Sequence, residues 1–376
     1  MLPIQNLSIF KKTDWSLFIV VFLLSVFGLA AIYSVALGQG LGEFLNFKKQ
    51  IIWLTMGLIS MFIFSNIDYH YLQKISWLGY LISLILLILV LTPLGSTIRG
   101  TQGWFSFGWF QFQPIELAKI FLIIILADIY CHVSRTINQF RHLFLIGFIA
   151  FIPFILAVIQ PDFGSAMVLF FTWLISFFFI TKNKWHIVFV LISIIILFIV
   201  VWFFVFADYQ KDRINNFINP SLDPLGSGYN VKQSIIAVGA GRFMGRGLGF
   251  GPQSQLKFIP ESQTDFIFSV IAEELGFVGV VMILSFFLFL FYRFYKIALL
   301  APDDFGMFLS ILIAILIFIH VFINIGMGIG LIPVTGISLP FVSYGGSFVI
   351  VMLTLIGIVM NVYKSSLISR KGKFDF

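Results

Sequence analysis

The sequence predicts an all-α polytopic integral membrane protein with ten transmembrane helices and one large extracytoplasmic loop between helices 7 and 8. Three observations carry this. The 376-residue chain is 60% hydrophobic and 10% charged, where soluble domains are about 25% charged. Its apolar runs last for about 20 residues, enough to cross a hydrocarbon core of about 30 Å as helix. The runs are continuous rather than alternating, which excludes a transmembrane β-barrel.

The expected spans are 15–37, 48–66, 73–92, 113–131, 143–160, 164–181, 185–206, 266–292, 305–330 and 343–363. The first is too long for a signal-peptide core and no small-residue cleavage site follows it, so it reads as a retained helix. Lys and Arg set the orientation. With the N-terminus in the cytoplasm, inner segments carry Lys11, Lys12, Lys74, Arg135, Arg141, Lys182, Lys184, Arg293, Lys296 and the basic C-terminal residues. The short outer loops hold Lys48, Lys49 and Arg99. This is the positive-inside pattern, and it places both termini in the cytoplasm. The net charge of +7 is then mostly topological, and no nucleic-acid partner is expected. Cys131 is the single cysteine and the five histidines are scattered, so neither a disulfide framework nor a metal-ligand spacing is present. Without a repeat or a linker, residues 1–376 read as one membrane domain.

Three outward segments exceed a turn. Residues 93–112, rich in Gly and Trp, suit an interfacial loop with aromatics at headgroup depth. Residues 331–342, "LIPVTGISLPFV", are apolar and broken by two prolines, so they are expected to fold back into the protein. Residues 207–265 form the long polar loop, with Arg213, Arg242, Arg246, Glu261 and Asp265 among its charges. Any chemistry is expected there, at the outer membrane face.

Each motif has a structural and a functional reading. In "PESQTDFIF" (260–268), Thr264 and Asp265 fit an N-cap and a first helical turn, where the helix dipole favours an anion. Glu261 nearby would raise one carboxylate's pKa and make it a better base. In "QPIELAKIF" (113–121), Pro114 opens a helix and Glu116 and Lys119 share a face at i, i+3. They are either a self-neutralised pair or a mark of a substrate path. "GAGRFMGRGLGFG" (239–251) lacks the Lys-Ser/Thr of a nucleotide loop. It is either a headgroup-level loop or a set of backbone N–H groups facing a lipid-linked phosphate. "QPDFG" (160–164) is turn chemistry, and "SYGGS" (343–347) allows close packing or leaves helix N–H groups free for an anion. His320 and Asn324, at i and i+4, read as an interhelical hydrogen-bond pair.

Taken together, residues 213–279 with "FQPIELAK" (112–119), "QPDFGSA" (160–166) and "LPFVSYGGS" (339–347) resemble the SEDS family of shape, elongation, division and sporulation proteins, over nearly the whole chain. Within it, "DYQKDRI" (208–214) and Ala272 are similar to the rod-shape branch rather than the division branch. The resemblance implies a peptidoglycan glycosyltransferase in the bacterial cytoplasmic membrane. Such an enzyme polymerises lipid II at the outer face for cell elongation, with a class B penicillin-binding protein and other elongation-complex membrane proteins as partners. It implies that Asp265 is the essential aspartate, that Glu116 and Lys119 are the charged pair of the central cavity, and that Glu261 is the acid preceding the aspartate. One departure stands out: Gly103-Trp104 occupies the place of the family's usual Arg-Trp, leaving Arg99 as the nearby substitute.

The implied reaction is an inverting displacement. The acceptor GlcNAc 4-hydroxyl attacks C1 of the donor MurNAc and undecaprenyl pyrophosphate departs. It needs one base, Asp265, and positive charge at the leaving group, from Arg213, Arg242, Arg246, Arg99 or Lys119. No dedicated metal motif is present, and any Mg²⁺ or Mn²⁺ would be shared with the substrate's phosphates. The rival readings are a lipid II flippase without chemistry, although no inverted repeat supports it, and a member of the family's division branch.

Overall fold

The computed structural model describes residues 13–39, 41–98, 100–108, 110–133, 140–181, 183–204 and 227–371. Within lipid a backbone must satisfy its own hydrogen bonds, and a helix overlaps each expected span over its described residues. In chain order these are α1 (Trp15–Gln39), α2 (Leu41–Phe64), the short α3 (Tyr69–Lys74), α4 (Ser76–Leu89), α5 (Pro114–Val133), α6 (Phe140–Ile159), α7 (Phe163–Ile180) and α8 (Lys184–Phe204). After them come α9 (Ser227–Ala240), the single turn α10 (Pro252–Gln255), α11 (Ile267–Leu300), α12 (Asp304–Gly328) and α13 (Gly346–Lys371). Among the described residues seven helices are long and apolar enough to cross a membrane: α1, α2, α6, α7, α11, α12 and α13. α4 and the first part of α8 are shorter apolar helices, and α5 carries Glu116, Lys119 and Asp128.

The bundle is built around α12 and α13, whose most apolar stretches are 67% and 83% buried, against 28% for α11. α13 packs along α2, α12 along α11 and α5, and α6 along α7. A half-buried ion pair between buried Asp14 and Arg293 joins the start of α1 to α11. At the same end Tyr69 donates a hydrogen bond to Asp303, the N-cap of α12. His70 stands between Asp68, at 2.7 Å, and Asp303, at 3.2 Å.

Residues 93–112, expected as an interfacial loop, have regular structure of their own. They contain a three-stranded antiparallel sheet in the order β1 (Ser96–Ile98), β2 (Thr101–Phe107), β3 (Phe110–Phe112). Thr97 pairs with Gln102 and Phe105 with Phe112. Aromatic and Thr-rich residues favour a pleated surface, and Gln102 ties the sheet to the end of α4 through the carbonyls of Leu91 and Thr92.

The described part of the long polar segment, residues 227–265, is more ordered than a loop. α9 lies against α11 and α12, where the Ser234 hydroxyl donates to Gly328 O at 2.6 Å. The helix of α11 is interrupted at Gly276 (φ 64°, ψ −159°), which frees backbone groups on both sides of the break. The glycine-rich segment takes them up. Arg246 and Gly247 N–H donate to the carbonyls of Glu273 and Glu274, at 3.0 and 2.9 Å. Phe277 and Val278 N–H donate to Arg242 O and Phe243 O, at 2.9 and 3.2 Å. A β-carbon on Gly276 would collide with the backbone of Gly245, so glycine is required on steric as well as torsional grounds.

Candidate active site

A cavity of about 740 Å³ opens between α5, α7, α12, the sheet and the start of α13. Segment 331–345 folds back to form one wall, as its prolines and apolar residues lead one to expect, with Ile337, Leu339, Phe341 and Val342 buried. Asp265, Glu116, Lys119, Asp162, His320 and Lys49 supply charged or titratable groups to the lining.

Glu116 and Lys119 project from the first turns of α5, where Pro114 begins the helix. Lys119 Nζ lies 2.7 Å from Glu116 Oε1, with side chains 1% and 5% exposed. Burying both charges is tolerable only because they are paired. The second Glu116 oxygen has no protein partner among the described residues.

Asp265 lies in a turn that precedes α11. The expected cap is corrected here: the helix starts at Ile267, Phe266 occupies the N-cap position without a side-chain bond, and Thr264 instead donates to Glu261 Oε2 at 3.1 Å. Glu261, at φ 53°, shapes the turn, its carbonyl accepting from the N–H groups of Thr264, Asp265 and Phe266. It is absent from the cavity lining.

Neighbouring elements hold this turn by its carbonyls. Asn324 Nδ2 donates to Asp265 O at 2.9 Å and to Ile337 O at 2.7 Å. Ser343 Oγ donates to Thr264 O at 2.6 Å, and Tyr344 N–H donates to Gln263 O at 2.8 Å. A β-carbon built on Gly336 would stand 3.6 Å from Asp265 Oδ2, so the carboxylate lies directly under the re-entrant segment.

Of the two residues expected to hydrogen-bond between helices, Asn324 does bond across to neighbouring elements, whereas neither ring nitrogen of His320 has a protein partner among the described residues. Asn324 is committed to the two carbonyls. His320 lines the cavity, buried, with its ring edge-to-face on Phe348 at 5.3 Å. Side chains four apart on a helix share a face, but partner choice depends on what packs across from them. Lys49, which reads in sequence as a helix-edge cation, also belongs to the lining. Asp162 accepts from Ser165 N–H at 2.9 Å as the cap of α7 and from Gln113 at 3.2 Å, so the "QPDFG" turn is both structural and part of the wall. Tyr344, Gly345, Gly346 and Ser347 bring the start of α13 to the same cavity.

The other candidate cations are placed differently. Arg242 and Arg246 are exposed and absent from the lining. The N–H groups of Arg246, Gly247 and Gly249 that a phosphate would need are taken by Glu273 and Glu274, which corrects the phosphate-cradle reading for them. Arg99 and Arg213 lie outside the described residues. The described residues contain no group of three His, Cys, Asp or Glu able to hold a metal ion.

A helical bundle with membrane-length spans, and a charged cavity roofed by a re-entrant segment, defines a polytopic membrane protein that can admit a polar ligand beside lipid. The family model of FtsW, RodA and SpoVE, described as cell cycle protein, matches residues 14–367. Stage V sporulation protein E of Bacillus subtilis is 40% identical over 366 residues, covering 95% of this chain and 99% of that one. Peptidoglycan glycosyltransferase MrdB of Escherichia coli is 35% identical over 364 residues, covering 94% and 96%. Among solved structures, a chain of a peptidoglycan synthase complex coordinating polymerization and crosslinking matches with a TM-score of 0.79 and 30% identity, covering 95% of this chain and 99% of that one. Crystalline rod shape determining protein RodA of Thermus thermophilus gives 0.70 at 28% identity, covering 95% and 98%. The chain belongs to this family, the SEDS proteins.

Proposed function

We propose that the chain is a peptidoglycan glycosyltransferase that polymerises lipid II into β-1,4-linked glycan at the outer face of the cytoplasmic membrane. The observation that carries this is the placement of Asp265 in the same cavity wall as Lys119 and Lys49. One carboxylate can accept the proton of the attacking GlcNAc 4-hydroxyl, while the two lysines offset the charge that develops on the departing undecaprenyl pyrophosphate. Lys119, held by Glu116, is the fixed cation. Attack at C1 of the α-linked donor with direct departure of the pyrophosphate inverts the anomeric centre. A divalent cation, Mg²⁺ or Mn²⁺, enters this scheme only with the substrate's phosphates.

Ten spans with both termini in the cytoplasm, and a class B penicillin-binding protein crosslinking the product, complete the proposal. Ala272 and residues 208–214 support the rod-shape branch. Identities of 40% to a sporulation protein and 35% to MrdB leave that choice to these residues. Purified protein incubated with lipid II in detergent, with and without the partner, tests the reaction. Chain growth is expected, whereas unchanged lipid II in both conditions would favour a flippase.

A further inference from the structure

The glycine-rich segment 239–251 and the turns after it have no part in the proposed reaction, yet they are held with unusual thoroughness. Beyond the backbone bonds at the α11 break, Glu273 accepts from Gln253 and Ser254 N–H at 2.9 and 3.0 Å. Glu274 accepts from Ser34 Oγ at 2.5 Å and Gln255 Nε2 at 3.2 Å. Both glutamates are buried. The segment is therefore clasped to α1 and α11 at one fixed height.

That height can be counted. The Asp14–Arg293 pair and nearby Lys296 mark one boundary of the apolar slab, since charges in spans gather at its edges. A slab of about 30 Å at 1.5 Å per residue spans about 20 residues. Counted along α1 from Asp14 this reaches Ser34, and counted back along α11 from Arg293 it reaches Glu273. The two counts arrive at the same place, because Ser34 and the next residue, Glu274, are hydrogen-bonded to each other. The clasped segment thus lies at the opposite membrane boundary.

Its side chains suit that boundary. Met244 and Phe250 are 74% and 76% exposed, and Phe243, Leu248 and Leu256 are exposed with them. Phe243 stacks on Phe277 at 5.9 Å. Phe277 heads the exposed stripe Phe277, Val281, Leu284 and Leu288 down α11, whose spacing is that of one helix face. The apolar patch therefore continues a lipid-facing surface. Arg242, Arg246 and Lys257 are exposed among these residues, whereas the carboxylates of Glu273 and Glu274 are turned inward.

We propose that segment 242–258 is an interfacial anchor, inserting its apolar side chains beneath the headgroups while Arg242, Arg246 and Lys257 bind anionic phospholipid phosphates. Such a mixture of apolar and basic residues is what lies in the plane of a membrane interface. The inference rests on the membrane reading alone and does not depend on the reaction.

Site-directed spin labelling of the full chain in phosphatidylcholine–phosphatidylglycerol vesicles tests it. With Cys131→Ser as background, nitroxides are placed at Met244→Cys, Phe250→Cys and the exposed Pro260→Cys. Labels at 244 and 250 are expected to collide more with oxygen than with an aqueous nickel chelate, and the label at 260 the reverse. Nickel access at 244 and 250 equal to that at 260 would put the segment in water and overturn the anchor. Shielding from both reagents would mean that protein covers it, and would overturn it equally. For the cations, Arg242→Gln, Arg246→Gln and Lys257→Gln are combined, and preference for spin-labelled phosphatidylglycerol over phosphatidylcholine is measured. Each cation near an anionic surface is worth roughly fivefold in partition, so a several-fold loss of preference is expected. An unchanged preference would remove the headgroup contacts from the proposal.

Discussion

Asp265→Asn preserves the volume of the side chain and the backbone contacts to Asn324 and Glu261, but cannot take up the acceptor's proton. General bases contribute about 10²–10⁴-fold, so polymerisation of lipid II by this variant should fall by at least the lower figure with thermal stability unchanged. Near-normal chain growth would strip Asp265 of its role. Asn324 gives a complementary prediction. Asn324→Ala leaves the buried Ile337 carbonyl without this donor, at a cost of about 1–3 kcal/mol, and removes one of the bonds that hold the turn bearing the half-buried Asp265. Turnover should drop more than apparent substrate affinity, and a larger loss of affinity would instead make Asn324 a substrate contact. At Glu116 the single variant should be worse for stability than the double. Glu116→Ala strands a buried ammonium, costing about 3–5 kcal/mol, whereas Glu116→Ala with Lys119→Ala removes both charges. The double variant should fold and yet fail to polymerise. The Glu116–Lys119 pair was legible because i, i+3 spacing after a helix-opening proline is a local property. His320 and Lys49 were not, since their place in the wall depends on which helix stands opposite. Asp265 drew attention as an acid beside an apolar run, but its turn was misread as a helix start because the carbonyls that hold it accept from residues nearly 60 and 80 positions away.

At the scale of elements, the break in α11 is the least visible feature in sequence and among the most constrained. "VIAEELGFVG" (270–279) reads as unbroken helix, and only the fit of Gly245 against Gly276 gives the interruption its meaning. Gly276→Ala should destabilise by at least about 1–3 kcal/mol, since its positive φ with extended ψ is essentially confined to glycine, with accelerated amide exchange at Arg246 and Gly247. Gly239→Ala, where a β-carbon meets open space within α9, should be neutral or slightly stabilising. Equal stability of the two variants would mean that the clasp does not matter. The cluster joining α3 to α12 makes a pH prediction. Burial, followed by the bond to Asp303 and the charges of Asp303 and Asp68, raises the Tyr69 pKa. Its contribution is therefore complete below about pH 10, the ordinary tyrosine value, and is lost as pH rises through the folded value. Burial pushes Asp68 the opposite way from its net shift, which His70's hydrogen bonds and charge, with Lys74, make downward. Its contribution is present above about pH 4 and lost as pH falls through the folded value. Exchange at Gly306 N–H, which Asp303 caps at 2.8 Å, should be protected between those limits, and Tyr69→Phe should abolish the alkaline limb alone.

For the molecule as a whole, the helices were readable because lipid leaves a backbone few alternatives, and composition alone then outlines the bundle. The small sheet was missed because Gly and Trp were weighed for interfacial preference while the Thr and aromatic content of β2 was not. The proposed orientation has a direct check. With Cys131→Ser, a cysteine at the exposed Pro260 should react with an impermeant thiol reagent on intact spheroplasts, and labelling only after lysis would reverse the topology.

One amide, that of Asn324, grips both the turn bearing Asp265 and the re-entrant wall at Ile337. For inhibitor design this means that the acid can be silenced at second hand. A compound wedged beneath Gly336 that shifts the Ile337 carbonyl with the Asn324 amide still bonded to it pulls, through the second N–H of that amide, on the backbone of Asp265. Such a ligand needs no complementary cation for the carboxylate. It has only to fill the space above it and move the wall that Asn324 ties to the turn.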